Sequence, residues 1–71
     1  MDHWLVCFSA KLPPADRERI LREAGAARPG CETPLGAEIA VEVDADASAV
    51  VALRRREEVL GVFPNSELRA Y

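Results

Sequence analysis

The side chains able to do chemistry in this sequence are few and far apart. The 71 residues include one histidine, His3, and two cysteines, Cys7 and Cys31. A nucleophilic cysteine needs a base within hydrogen-bond reach. His3 and Cys7 stand four positions apart in an extended apolar segment, about 13 Å at the rise of a β-strand, so they cannot form such a dyad. The sequence therefore predicts that the protein is not an enzyme.

The sequence also has no motif for a metal, a cofactor or a nucleic acid. There is no Cys-x-x-Cys or paired-histidine spacing and no glycine-rich phosphate loop. Net charge is −3, and the one basic run, Arg54-Arg55-Arg56, is followed directly by Glu57-Glu58. Nucleic-acid binding needs a concentrated basic surface, so we interpret the arginines as a solvated helix end. We expect no cofactor, no metal and no nucleic acid, which leaves a protein that binds another protein or a small effector.

The cysteines and the hydropathy of the sequence bear on its cellular setting. We interpret Cys7 as a buried small hydrophobe and Cys31 as a loop cysteine, since a disulfide would need Cα atoms within about 7 Å. No apolar stretch approaches the roughly 20 residues of a membrane span, and the start lacks a secretory signal pattern. We expect no membrane partner, with a cytoplasmic location as given or an extracellular one if the chain is trimmed from a longer precursor.

The first half of the sequence predicts a strand, a helix and a short strand. Residues 4–8 form a continuous apolar run, which indicates a central strand covered on both faces. A helix is predicted over residues 15–24, with Pro14 in its first turn and Gly25 as a left-handed C-cap. Its charged residues, Arg17 among them, are expected on the solvated face. Only a short edge strand fits residues 31–35, because proline is tolerated at a sheet edge.

The second half predicts a strand, a helix and a final strand. Residues 38–43 alternate strictly, with Ile39, Val41 and Val43 on one face and Glu38, Ala40 and Glu42 on the other. A helix is predicted over residues 47–56 after Asp44 or Asp46 as its cap, and a strand over residues 59–63 before Pro64. The order β-α-β-β-α-β predicts a ferredoxin-like α+β fold, an antiparallel four-stranded sheet with two helices on one face. Residues 1–64 would form this domain and residues 65–71 an extended tail.

The tail has the side-chain pattern of a peptide that lies in a protease cleft. Leu68 and Tyr71 alternate with small or solvated residues, and neither helical nor strand periodicity continues past Pro64. An extended peptide could fill two pockets with these side chains and expose the rest. The alternative is that both side chains fold back onto the sheet as ordinary core.

Taken together, residues 4–8, 12–25, 39–43 and 59–65 resemble the subtilisin propeptide and proteinase-inhibitor family. The most specific parts are the Ile-Ala-Val-Glu-Val strand and the closing strand with its proline and tail. The resemblance implies a ferredoxin-like fold and a protein that inhibits a subtilisin-like serine protease, or acts as its intramolecular folding chaperone. It also implies that the open face of the sheet packs on two surface helices of the protease.

Carried onto this sequence, the resemblance assigns the tail to the active-site cleft. Tyr71 would fill the first specificity pocket, Ala70 and Arg69 the second and third positions, and Leu68 the fourth, apolar pocket. Ala40 and Glu42 on the open face would meet the protease helices. The sequence departs from the family pattern where acidic residues follow the last strand, since Glu67 is the nearest carboxylate here.

Two other functions are compatible with the same predicted fold and involve no protease. One is an effector-sensing or interaction module that forms a homodimer through the open sheet face, although a dimer would bring Glu42 near its own copy. The other is a scaffold that reuses the inhibitor fold. Removing the tail discriminates among them, because an effector or scaffold function should survive the deletion.

Overall fold

The computed structural model of this protein describes residues 2–27 and 30–64. The elements follow in the order β1 (Asp2–Ser9), α1 (Pro14–Ala24), β2 (Glu32–Leu35), β3 (Glu38–Ala45), α2 (Ala47–Arg54) and β4 (Val59–Pro64). The strands form one antiparallel sheet in the order β2-β3-β1-β4. The predicted ferredoxin-like α+β fold is therefore confirmed, with β1 and β3 as the central strands.

Both helices begin as the sequence predicts, but the second ends early. Pro14 opens α1, and Gly25 ends it with a φ of 90°, a conformation that glycine adopts without strain. At the start of α2, the Asp46 side chain accepts a hydrogen bond of 2.9 Å from the Ala49 N–H. The helix stops at Arg54, whereas residues 47–56 were predicted. Its last turn tightens as the Arg56 N–H donates to the Leu53 carbonyl, three residues back.

The sheet is regular at its centre and irregular at its β4 edge. β1 and β3 pair without interruption from Asp2 opposite Ala45 to Ser9 opposite Glu38. β3 thus runs two residues past the predicted end at Val43. Between β1 and β4 the register shifts, so that Cys7 lies opposite Gly61 and Phe8 opposite Val59. This bulge adds twist to an edge strand and disfavours pairing with a further strand.

Each face of the sheet has its own buried cluster. The face under the helices belongs to a core of eleven buried residues, which are Val6, Phe8, Ile20, Leu21, Val41, Val43, Ala45, Ala49, Val50, Leu53 and Val62. On the opposite side Leu5, Cys7 and Ala40 form a second, separate cluster. Consecutive residues of β1, from Leu5 to Phe8, are buried, so both faces of this strand are buried as predicted, but among the described residues helices cover only one of them. Within the described residues, neither helix is long and apolar enough to cross a membrane.

Candidate functional site

The sheet face opposite the helices is the surface best suited to a partner, and we call it the open face. Residues directly opposite each other in antiparallel strands point to the same side of the sheet. Leu5 lies opposite Glu42 on β3 and Phe63 on β4, and Cys7 lies opposite Ala40 and Gly61. These residues therefore share the open face, which agrees with the predicted placement of Ala40 and Glu42.

The centre of the open face is nearly closed. Leu5 is 9% exposed, Cys7 5% and Ala40 3%. Ala40 thus offers almost no surface to a partner, although the resemblance implied that it meets one. Glu42, beside it on β3, is half-buried. A partner would contact side chains that stand around the central cluster.

Apolar side chains stand on both sides of that cluster. Phe63 on β4 is 47% exposed, and Leu35 on β2, which lies opposite Glu38, is 52% exposed. The ring of Phe63 lies over Gly61, so close that a Cβ atom at Gly61 would be 2.8 Å from a ring carbon. Glycine at this position therefore lets the aromatic ring lie flat against the strand. Each edge strand thus places an exposed hydrophobic side chain on the open face.

Acidic side chains follow β3 along the same face. Glu38 is exposed, and burial together with the negative charge of Glu38 raises the pKa of the Cys7 thiol. At the other end, the Asp44 carboxylate lies 2.6 Å from Nδ1 of His3. The sequence analysis missed this pair, since it depends on the register of β1 against β3.

Because the pKa of its thiol is raised, Cys7 forms little thiolate. It is therefore a poor nucleophile, since reactivity needs the thiolate.

Cys31, His3, Glu42 and Asp44 line a shallow groove at the β2 side of the open face. Cys7 and Cys31 are both free thiols, one buried and one exposed, as interpreted from the sequence. Among residues 2–27 and 30–64, no group of three or more His, Cys, Asp and Glu side chains is arranged to hold a metal ion.

The interpretation of the basic run Arg54-Arg55-Arg56 as a solvated helix end was only partly correct. The Arg54 guanidinium lies 6.0 Å from the centre of the Trp4 ring and donates to the Val62 carbonyl at 3.3 Å. Arg56 pairs with Glu23 of α1 at 2.9 Å. These two arginines link α2 to the sheet and to α1, instead of forming only a solvated helix end. Their role is structural.

Arg17 is a second correction, because the sequence analysis placed it on the solvated face of α1. It is 6% exposed and donates to the Leu12 carbonyl at 3.0 Å and to the Glu32 carboxylate. The signal was present in the sequence. Arg17 stands three and four residues before Ile20 and Leu21, which is the spacing of the buried helix face.

The tail positions predicted to bind the protease are Glu67, Leu68, Arg69, Ala70 and Tyr71, and they lie outside the described residues. β4 ends at Pro64, which lies opposite Trp4 of the central strand β1. The predicted tail would therefore continue from an edge strand of the sheet, after Phe63 of the open face and Pro64.

Comparisons with known proteins gave no relative: no protein-family model, no curated protein and no solved structure matches this chain. The resemblance to subtilisin propeptides stays a prediction based on the sequence pattern. The fold, the open face and the position of Pro64 are the features of this molecule that bear on its function.

Proposed function

We propose that this protein inhibits a subtilisin-like serine protease, or assists its folding, by packing its open face on the protease and inserting the tail into the active-site cleft. Leu68 and Tyr71 fill two pockets, and Arg69 and Ala70 lie between them. The observation that supports this best is the open face itself. Within residues 2–27 and 30–64, no helix or strand packs over it.

The side chains of the open face fit a protein partner. Phe63 and Leu35 are exposed hydrophobic residues, and partly buried aromatic side chains are common anchors in interfaces. Glu38 and Glu42 add negative charge between them. Carboxylates are attracted to the positive ends of helix dipoles, so this face suits the exposed N-termini of two partner helices.

The start of the tail supports the insertion mechanism. Pro64 is held in the sheet by its pairing with Trp4. A peptide attached to a folded body that is itself bound to the protease has a high effective concentration at the cleft. The tail thus binds more tightly than the same residues would as a free peptide.

A non-inhibitory interaction module is the second candidate. The same exposed Leu35 and Phe63 would serve the interface of a homodimer or a scaffold complex. Such a function does not involve residues 68–71. It would therefore survive their removal.

The test is a titration of a broad-specificity subtilisin with the chain, using a chromogenic peptide substrate. We expect tight, competitive inhibition by the full chain, and a loss of at least 100-fold in affinity, about 3 kcal/mol, when residues 68–71 are deleted. Circular dichroism on the deletion variant provides the control for folding. Absence of inhibition by a folded full chain contradicts the proposal, and inhibition that persists without the tail contradicts the insertion mechanism.

A further inference from the structure

We infer that a cleft between α1 and β2 binds a small α-amino acid, with Arg17 holding the ligand carboxylate. The cleft lies on the helix-covered side of the sheet, because Glu32 at its rim is opposite Val41 of the main core. Its volume is about 160 Å³. A cavity of about 150 Å³ accepts benzene, so the cleft suits a ligand of roughly six to eight non-hydrogen atoms.

Arg17 supplies a fixed cationic group in this cleft. Its side chain is 7% exposed, and its guanidinium is held by the Leu12 carbonyl and the Glu32 carboxylate. A guanidinium has five N–H donors in a planar fork that matches a carboxylate. The two bonds to Leu12 and Glu32 leave donors for a ligand. Because the group is already positioned, little side-chain entropy is lost when a ligand binds.

The charges around Arg17 select the kind of ligand. Glu18 and Glu32 line the same cleft, so the lining has one positive and two negative side chains. A simple anion would meet a net negative charge there. A zwitterion avoids this, because its carboxylate contacts Arg17 while its ammonium group contacts Glu18 and Glu32. The Glu32 carboxylate keeps its bond to Arg17 and has further lone pairs that can accept from the ammonium group.

The apolar residues that line the cleft determine which ligand side chain fits. Leu21 and Val41, both almost completely buried, form one wall together with Pro14. This wall has no polar side-chain atom to pair with a ligand hydroxyl or amide. Alanine and valine have six and eight non-hydrogen atoms, and their short aliphatic side chains fit it. A polar or large aromatic amino acid does not.

The experiment is a titration of the ¹⁵N-labelled full chain, followed by its amide NMR signals. The probes are L-alanine, propionate, which lacks the ammonium group, and ethylamine, which lacks the carboxylate. We expect saturable shifts at Arg17, Leu21 and Val41 with L-alanine, with a Kd on the order of 1 mM. Propionate and ethylamine should each bind at least about tenfold more weakly. Absence of saturable shifts with L-alanine, or equal binding of propionate, overturns the proposal.

Two variants with the same charge change sharpen the test. Glu18→Gln removes a carboxylate from the cleft, and Glu57→Gln removes an exposed one from the turn before β4. We expect Glu18→Gln to weaken L-alanine binding by about fivefold and Glu57→Gln to leave it unchanged. Equal effects overturn the assignment of the ammonium subsite. Arg17→Lys keeps the positive charge but should abolish binding of L-alanine. If this variant does not fold, the comparison of Glu18→Gln with Glu57→Gln tests the proposal. No protease is present, so the result is independent of the proposed inhibition.

Discussion

The two faces of the sheet are built from the same strands, yet they differ in what covers them. On the helix-covered face, eleven residues from three strands and two helices pack in one core. On the open face, only Leu5, Cys7 and Ala40 are buried, with half-exposed Phe63 and Leu35 beside them. The first face provides the stability of the fold. The second is free to be used in binding.

The largest effect is expected from a leucine-to-alanine substitution in the core, compared with the same substitution on the open face. Leu53 of the main core is fully buried, and Leu5 of the open face is 9% exposed. Leu53→Ala should lower the free energy of unfolding by about 4 kcal/mol, because the surrounding core cannot collapse into the cavity. Leu5→Ala should cost about 2 kcal/mol, because fewer neighbours surround it. Urea unfolding measures both, and equal losses would show that the open face is as tightly packed as the core.

A buried and an exposed ion pair give the next comparison. Arg17, 7% exposed at its side chain, pairs with Glu32, while Arg56, 32% exposed, pairs with Glu23. Glu32→Gln should destabilise the protein by about 1–2 kcal/mol, because it leaves a buried cation without its carboxylate. Glu23→Gln should cost less than about 0.5 kcal/mol. If thermal unfolding shows the opposite order, the view that Arg17 is a fixed group of the core is wrong.

Cys7 makes the open face sensitive to high pH. Burial and Glu38 raise the pKa of its thiol in the folded protein. The folded state then holds this proton more tightly than the unfolded state. The protonated thiol therefore contributes to the free energy of unfolding. This contribution is complete below the ordinary thiol pKa of about 8.5 and is lost as pH rises through the raised pKa of the folded protein. Urea midpoints of the native chain should fall over that range more steeply than those of Cys7→Ala. A thiol reagent at neutral pH should modify Cys31 first, and equally fast modification of Cys7 would contradict its burial.

The smallest effect concerns the contact of Phe63 with Gly61. A Cβ atom at Gly61 would lie 2.8 Å from the ring, but the ring is at the far end of an exposed side chain and can move. Gly61→Ala should therefore cost less than about 1 kcal/mol, and almost nothing when Phe63 is already alanine. A double-mutant cycle by denaturant unfolding measures the coupling. Identical costs in both backgrounds would show that the ring does not depend on the glycine.

The features that sequence alone predicted are those set by local chemistry. Gly25 and Asp46 cap their helices because of their own conformational and hydrogen-bonding preferences. Strict alternation at Ile39, Val41 and Val43 identified the core face of β3 because a strand has a period of two. Together with the order of elements, these features were sufficient for the fold.

The features that sequence missed depend on residues brought together by the fold. Glu32 is fifteen residues from Arg17, and His3 meets Asp44 only through the register of β1 and β3. The burial of Ala40 similarly depends on neighbouring strands, so the resemblance assigned it to contact with a partner when it instead belongs to a buried cluster. The tail residues assigned to the protease cleft stay a prediction.

The most direct test of the proposed function uses two exposed hydrophobic residues on opposite sides of the molecule. Phe63 on the open face is 47% exposed, and Val51 on α2 is 48% exposed. We would measure the inhibition constant of the chain and of Phe63→Glu and Val51→Glu against a broad-specificity subtilisin. We expect inhibition by the native chain, a loss of at least about tenfold for Phe63→Glu, and no change for Val51→Glu. No inhibition by the folded native chain, or equal losses for the two variants, would contradict it.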